Sequence, residues 1–246
     1  MSEKIQKVLA HAGLGSRRQI ETWIQAGRIT INDKKASIGD RMTDHDIVSI
    51  DGREVKLIKH KSQQSRVLLY HKPEKEICTR HDPEGRSTIF EHLPFIRHSR
   101  WICVGRLDFN TSGLLLITNN GELANQLMHP RSQLEREYAV RVLGQVTPDI
   151  IMKLQQGVHL EDGVARFEKI VDAGGTGSNH WYHVVVKEGR NRLVRRAWEA
   201  LGFTVSRLIR VRFGPLSLPA RLHRGKYQEL TQDEITVLEN AIKAKS

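Results

Sequence analysis

Along the first sixty residues the hydrophobic positions change from helical to alternating spacing. Ile5, Val8, Leu9 and Ala12 recur at intervals of three and four, which predicts a helix capped by Ser2 and ended by Gly13. Ser16 is placed to cap a second helix that carries Ile20, Trp23 and Ile24 inward, and Gly27 stops it. Alternation follows in Arg28–Ile31, then a turn at Asn32 and Asp33. Asp46–Ile50 and Arg53–Leu57 flank Asp51-Gly52, a two-residue hairpin signal. The polar stretch Lys59–Ser65 has no apolar period and reads as a linker, set at 61–65 between a first domain at 1–60 and a second at 66–246.

From Arg66 onward, strand-forming residues dominate. Val67–His71, Glu76–Arg80, Trp101–Leu107, Leu114–Thr118, Glu137–Val142 and Thr204–Phe213 are rich in β-branched, aromatic or aliphatic side chains. Helices are interspersed. Leu123 and Leu127 lie one turn apart in Glu122–Met128, Thr147 caps a helix with Pro148 at its first position, and another runs from Asn191 to Leu201 before Gly202. Thr231 and Glu234 form a capping box for a last helix. This order predicts an α+β protein: a small helix-helix-sheet module, then a domain with a mixed, largely antiparallel sheet.

Composition narrows the function classes. With 246 residues and 39% hydrophobic content the chain can bury one sizeable core plus a small module. Its apolar runs are far shorter than the ~20 residues of a membrane span, and no signal-peptide core opens it, so a cytosolic location and no membrane partner are expected. Two cysteines and scattered histidines offer neither a disulfide framework nor a metal site. The formal charge of +11 points to a polyanionic partner. Residues 187–226 hold 11 basic and 2 acidic side chains, so the excess is concentrated there.

One carboxylate stands apart. Asp108 lies at the end of an apolar strand, before a loop of Asn, Thr, Ser and Gly that leads into another apolar strand. Taken alone, an aspartate so placed is more often a turn former than a catalyst. In Thr204–Phe213, strict alternation would set Arg210 and Arg212 on a basic side facing RNA, opposite Ile209, Val211 and Phe213. Arg192 and Arg195, three apart, would share a helix face, with Arg196 turned to phosphate or solvent.

The stretch GRLDFNTSGLLLITNNGELANQLMHP closely resembles the aspartate motif of the RNA pseudouridine synthases, in the branch that acts on single sites in small- and large-subunit ribosomal RNA. EREYAVRV is similar to that family's tyrosine motif, and EGRNRLVRRAWEALGFTVSRLIRVRFGPLSLP to its basic motif. GLGSRRQIETWIQAGRITIND resembles the RNA-binding domain first recognised in small-subunit ribosomal protein S four, which would turn Arg17, Arg18 and Arg28 toward RNA. The resemblance implies a pseudouridine synthase domain and conversion of a uridine to pseudouridine, on the large-subunit (23S) side. By that likeness Asp108 is the catalytic aspartate, Tyr138 packs on the target base, Arg195 pairs with the aspartate, and Arg106 lies beside the flipped nucleotide. Leu193 stands where the family commonly has a polar residue.

The chemistry suits these residue types. The C1′–N1 bond breaks, the uracil turns over, and C5 joins the same sugar carbon. The base must first leave its stack, at a cost of a few kcal/mol, so an aromatic wall and a basic cleft help. The carboxylate either attacks base or sugar or removes a sugar proton. No metal or organic cofactor is implied. The expected partner is ribosomal RNA or a large-subunit assembly intermediate, met by a monomer. A non-catalytic assembly factor using the same basic surface is the alternative.

Overall fold

The structure is a computed structural model that describes residues 2–55, 57, 64–97, 99–176 and 178–243, the side chain of Thr176 apart. Most of the expected linker therefore lies outside the described residues. The chain divides into two compact units. One comprises residues 1–65, 94–102 and 119–121; the other holds 66–93, 103–118 and 122–246.

The first unit begins with β1 (Glu3–Lys4), α1 (Ile5–His11) and α2 (Arg17–Gln25). The strands β2 (Ile29–Ile31), β3 (Lys34–Lys35), β4 (Arg41–Met42), β5 (Val48–Ile50) and β6 (Arg53–Glu54) follow. Ser2 does not cap α1. Glu3 and Lys4 pair with Met42 and Arg41, so the chain is still extended there and the helix opens at Ile5, whose N–H reaches Asp40 O at 2.9 Å. Ser16 does cap α2, its Oγ accepting from Gln19 N at 3.0 Å. Asn32–Asp33 and Asp51–Gly52 all take positive φ, the conformation a two-residue hairpin turn requires, and they join β2 to β3 and β5 to β6. Ile5, Leu9, Ile20, Ile24, Ile29 and Val48 form the core between helices and sheet.

The second unit is built on β7 (Val67–Lys72), β9 (Ser112–Thr118), β10 (Arg136–Leu143), β13 (Lys169–Thr176), β14 (Asn179–Val186), β15 (Thr204–Phe213) and β17 (Tyr227–Glu229). Their spatial order is β13-β14-β10-β15-β9-β7-β17, antiparallel throughout except β15 beside β9. Shorter pieces are β8 (Ile102–Cys103), β11 (Val158–Leu160), β12 (Gly163–Ala165) and β16 (Leu216–Ser217). The helices are α3 (Gly121–Met128), α4 (Pro148–Gln156), α5 (Leu193–Glu199) and α6 (Gln232–Lys243). Trp198, Val194 and Ala197 of α5 pack with Val140, Val184 and Leu208 of the sheet, around Tyr182 and Phe167.

Three expected elements come out differently. Trp101–Leu107 shortens to β8, because Gly105 at φ +76° breaks the extended run. Glu76–Arg80 makes only a bridge from Ile77 to Thr88, as Glu76 turns inward to accept from the Tyr70 hydroxyl at 2.6 Å. The helix expected from Asn191 starts at Leu193, since Arg192 adopts the left-handed conformation at φ +49°.

Candidate active site

Asp108 lies in the turn that feeds β9, an all-buried strand between β15 and β7 in the larger sheet. Its carbonyl accepts from Thr111 N at 3.0 Å, closing the turn, and from Lys72 Nζ at 3.1 Å. Lys72 ends β7, is fully buried, and also donates to Pro73 O at 2.9 Å and Thr111 O at 3.0 Å. Burial pushes its ammonium below the usual lysine value, against the opposing pull of Cys78, Glu76 and Asp108. The Asp108 side chain, by contrast, is half-buried and accepts no hydrogen bond among the described residues. Its turn is fixed by the backbone, and its oxygens remain available for chemistry.

A cleft of about 930 Å³ opens over this turn, within the range of small-molecule sites. Asp108, Arg106 and Thr111 line it from the loop, Arg136 and Tyr138 from β10, and Leu208, Arg210 and Phe213 from β15. The sheet register brings them together. Tyr138 pairs with Arg210, and Arg210 pairs with Gly113 on its other side. Gly113 has φ +110°, and a Cβ there would stand 2.3 Å from Arg210 O and 2.5 Å from Arg210 N. Only glycine lets β15 approach the Asp108 loop so closely.

Arg195 is 7% exposed, but it does not pair directly with Asp108 as expected. Its Nη1 donates to Val205 O at 2.6 Å and its Nη2 to Asn110 O at 2.8 Å, which ties α5 to the end of the Asp108 turn. Burial, and next the charge of Arg192, lower its pKa, while Asp108 acts through space to raise it. The pairing is therefore a field effect added to a brace. Arg192 precedes the helix, is exposed and pairs with Glu199 at 3.1 Å, so it does not share a helix face with Arg195. Arg196 forks onto Asp162 at 2.8 and 2.9 Å, where Arg190 also binds.

The expected two-sided pattern of β15 is also overturned. Arg210 is only 3% exposed, and its Nε donates to Leu114 O at 2.7 Å. Arg212 reaches Glu137 at 2.9 Å and Glu135 at 3.0 Å. The cause is a bulge: Tyr138 faces Arg210 while Glu137 faces Arg212, leaving Val211 as an extra residue. Neighbours on β10 point to opposite faces, so Arg210 and Arg212 do too. Arg136, absent from the expected set, shares the Tyr138 face by simple two-residue spacing.

In the first unit, Arg17 and Arg18 are exposed at the start of α2. Arg28 is exposed as well, forked onto Asp51 at 2.8 and 2.5 Å and lying 5.2 Å from the centre of the Trp23 ring. That fork raises the Arg28 pKa and lowers that of Asp51.

Among the described residues no group of three or more His, Cys, Asp or Glu side chains could hold a metal ion, and no helix is long and apolar enough to cross a membrane. The sequence profile for RNA pseudouridylate synthase matches residues 66–200, and that of the S4 domain residues 3–48. The chain is 55% identical over 243 residues to a ribosomal large subunit pseudouridine synthase B of Pseudomonas aeruginosa, covering 98% of this chain and 63% of that protein. The relative of the same name from Vibrio cholerae is 56% identical, with 98% and 76% covered. The one from Haemophilus influenzae is 53% identical over 242 residues, with 98% and 68% covered. A crystal structure of a pseudouridylate synthase is similar in fold, with a TM-score of 0.67 at 24% identity over 96% of this chain and 99% of that one.

Proposed function

Because the chain belongs to the RNA pseudouridylate synthase family, we propose that it isomerises a specific uridine of ribosomal RNA, most specifically of the large-subunit RNA, to pseudouridine. The observation that carries this reading is the cleft that unites Asp108 and Arg106 of the loop with Tyr138, Arg136 and Arg210 of the sheet. In this reading a uridine flips from its stack and Tyr138 packs against the uracil. Asp108, whose oxygens no protein donor occupies among the described residues, acts on the base or sugar as nucleophile or removes a sugar proton. Arg195 braces the aspartate turn and offsets its charge, and Arg106, exposed at the lip, lies beside the flipped nucleotide.

Residues 1–60 act as a docking module of the S4 type through Arg17, Arg18 and Arg28, while 66–246 carry the catalysis. The protein works as a cytoplasmic monomer on naked RNA or a large-subunit assembly intermediate. Arg192, Arg196 and Arg212 each pair with a carboxylate, and in this reading they contact RNA phosphate beside those pairs. The test is to map pseudouridines across ribosomal RNA from cells with and without the gene, and to restore the missing one with purified protein. One large-subunit site should disappear and return. An unchanged map would refute the proposal.

A further inference from the structure

Two buried arginines of the cleft have no acidic partner among the described residues. Arg210 is 3% exposed and Arg136 is 8% exposed, and among the described residues neither forms an ion pair. Arg210 spends only Nε, on Leu114 O at 2.7 Å, and its Nη2 is buried with no acceptor. Arg136 gives Nη1 to Leu134 O at 2.8 Å and Lys187 O at 2.9 Å. Their guanidinium carbons lie 5.3 and 5.2 Å from the centre of one ring, that of Phe213. Each therefore sits beside a like charge. Burial first, and Arg210 as well, push Arg136 below the usual arginine value, with Tyr138 opposing.

A buried charge without a counter-charge loses its hydration uncompensated, and two together repel. Every other buried or half-buried arginine around this cleft is either ion-paired, as Arg190 and Arg196 are, or has both terminal nitrogens on carbonyls, as Arg195 does. The contrast marks Arg210 and Arg136 as a site waiting for an acceptor. Arg210 is the direct cross-strand neighbour of Tyr138 and of Gly113 at the start of β9. It thus lies between the aromatic wall and the aspartate loop, at the depth where a base rather than its phosphate would come to rest.

Resting on the isomerase reading, we propose that Arg210, supported by Arg136, receives the carbonyl oxygens of the flipped uracil and stabilises the anion that forms when the ring detaches. When the C1′–N1 bond breaks, its electron pair goes to N1 and spreads onto O2 and O4. The sugar carbon is meanwhile satisfied by the Asp108 carboxylate or by loss of a sugar proton that is later returned. C5 then bonds to C1′, the C5 proton leaves and N1 takes one up, so no atom is gained or lost overall. Neutral uracil needs one or two hydrogen bonds; the anion needs charge. An unpaired guanidinium therefore favours the transition state over the bound substrate.

The test uses the full chain with Arg210→Gln, Arg210→Lys and Arg136→Lys, on transcribed large-subunit ribosomal RNA. A second substrate is a synthetic fragment with 6-azauridine at the position the wild type modifies. The electron-poor 6-aza ring leaves more readily and keeps its C5 proton. Arg210→Gln should lower the single-turnover rate about 100- to 1,000-fold, the usual loss for one removed anion-stabilising donor, with RNA affinity within about threefold. Arg210→Lys and Arg136→Lys should fall between. The Arg210→Gln deficit should shrink at least tenfold, on the order of 1.4 kcal/mol, on the 6-aza substrate. Equal deficits on both substrates would mean a structural role and overturn the inference. Weakened binding with an unchanged rate would indicate a phosphate contact and overturn it too. A wild type that makes no pseudouridine would instead sink the isomerase reading itself.

Discussion

Gly113→Ala puts a methyl group into the tightest contact of the site. The new Cβ would meet Arg210 O at 2.3 Å, Arg210 N at 2.5 Å and Arg210 C at 2.9 Å, where carbon normally keeps about 3.5 Å or more. These are backbone atoms, so no rotamer change relieves the overlap; β9 and β15 must separate. Overpacking of this kind costs about 1–3 kcal/mol. Holding alanine at φ +110° adds about 1–3 kcal/mol. The expected loss is thus about 4 kcal/mol, a large part of the ~5–15 kcal/mol that stabilises an ordinary domain. Gly202→Ala is the control. Gly202 has φ +84° but nothing within 4 Å of its Cβ, so it should lose only about 1 kcal/mol. Urea titration followed by fluorescence of the buried Trp198 reads both variants. Shifting Arg210 and the Asp108 turn apart by even ~1 Å should also lower the single-turnover rate about 100-fold. Equal stability of the two alanine variants, or a fully active Gly113→Ala protein, would refute the close-approach argument.

Lys72→Met keeps the side-chain volume but removes the donor to three carbonyls. Charge-assisted bonds contribute about 1.5–3 kcal/mol each, partly offset here by relief of ammonium burial, so a net loss of about 2–3 kcal/mol is expected by urea titration. An unchanged midpoint would contradict it. His71 donates from Nδ1 to Leu222 O at 2.7 Å in its neutral form, and burial holds its pKa below the ordinary 6.5. With the folded pKa depressed, the unfolded chain takes up the proton first as pH falls below 6.5, so stability declines through that window toward the folded pKa. The decline between pH 7.5 and 5 should be shallower in His71→Asn than in the wild type; parallel curves would exclude His71 as a cause.

Local signals carried much of the fold. Ser16, Gly27, the Asp51-Gly52 turn and the Thr231 to Glu234 capping box act on their nearest neighbours, and each works as its residue type predicts. The ends of β10 and β15 were legible within a residue for the same reason. What depends on a distant partner was not. The Val211 bulge is set by pairing with β10, some seventy residues earlier in the chain, and it alone decides that Arg210 is buried while Arg212 meets Glu137. Arg195 carries the charge the motif implies, yet its geometry is fixed by the carbonyls of Val205 and Asn110, which no spacing encodes. Lys72 stands just past the strand expected at Val67–His71, and its role appears only when the Asp108 turn closes over it. Arg136 was within reach, since it lies two residues from Tyr138 on the same strand face.

In the proposed function Asp108 performs the isomerisation while the surrounding cleft holds the RNA. Asp108→Asn keeps the size of the side chain and leaves its carbonyl bonds to Thr111 and Lys72 untouched. Measured on unmodified large-subunit ribosomal RNA beside the wild type, the variant should bind RNA within about threefold of normal and form no detectable pseudouridine, a rate loss of about 10⁴-fold or more, the scale of losing a residue of the catalytic machinery. Pseudouridine formed by Asp108→Asn at a rate near that of the wild type would contradict the account.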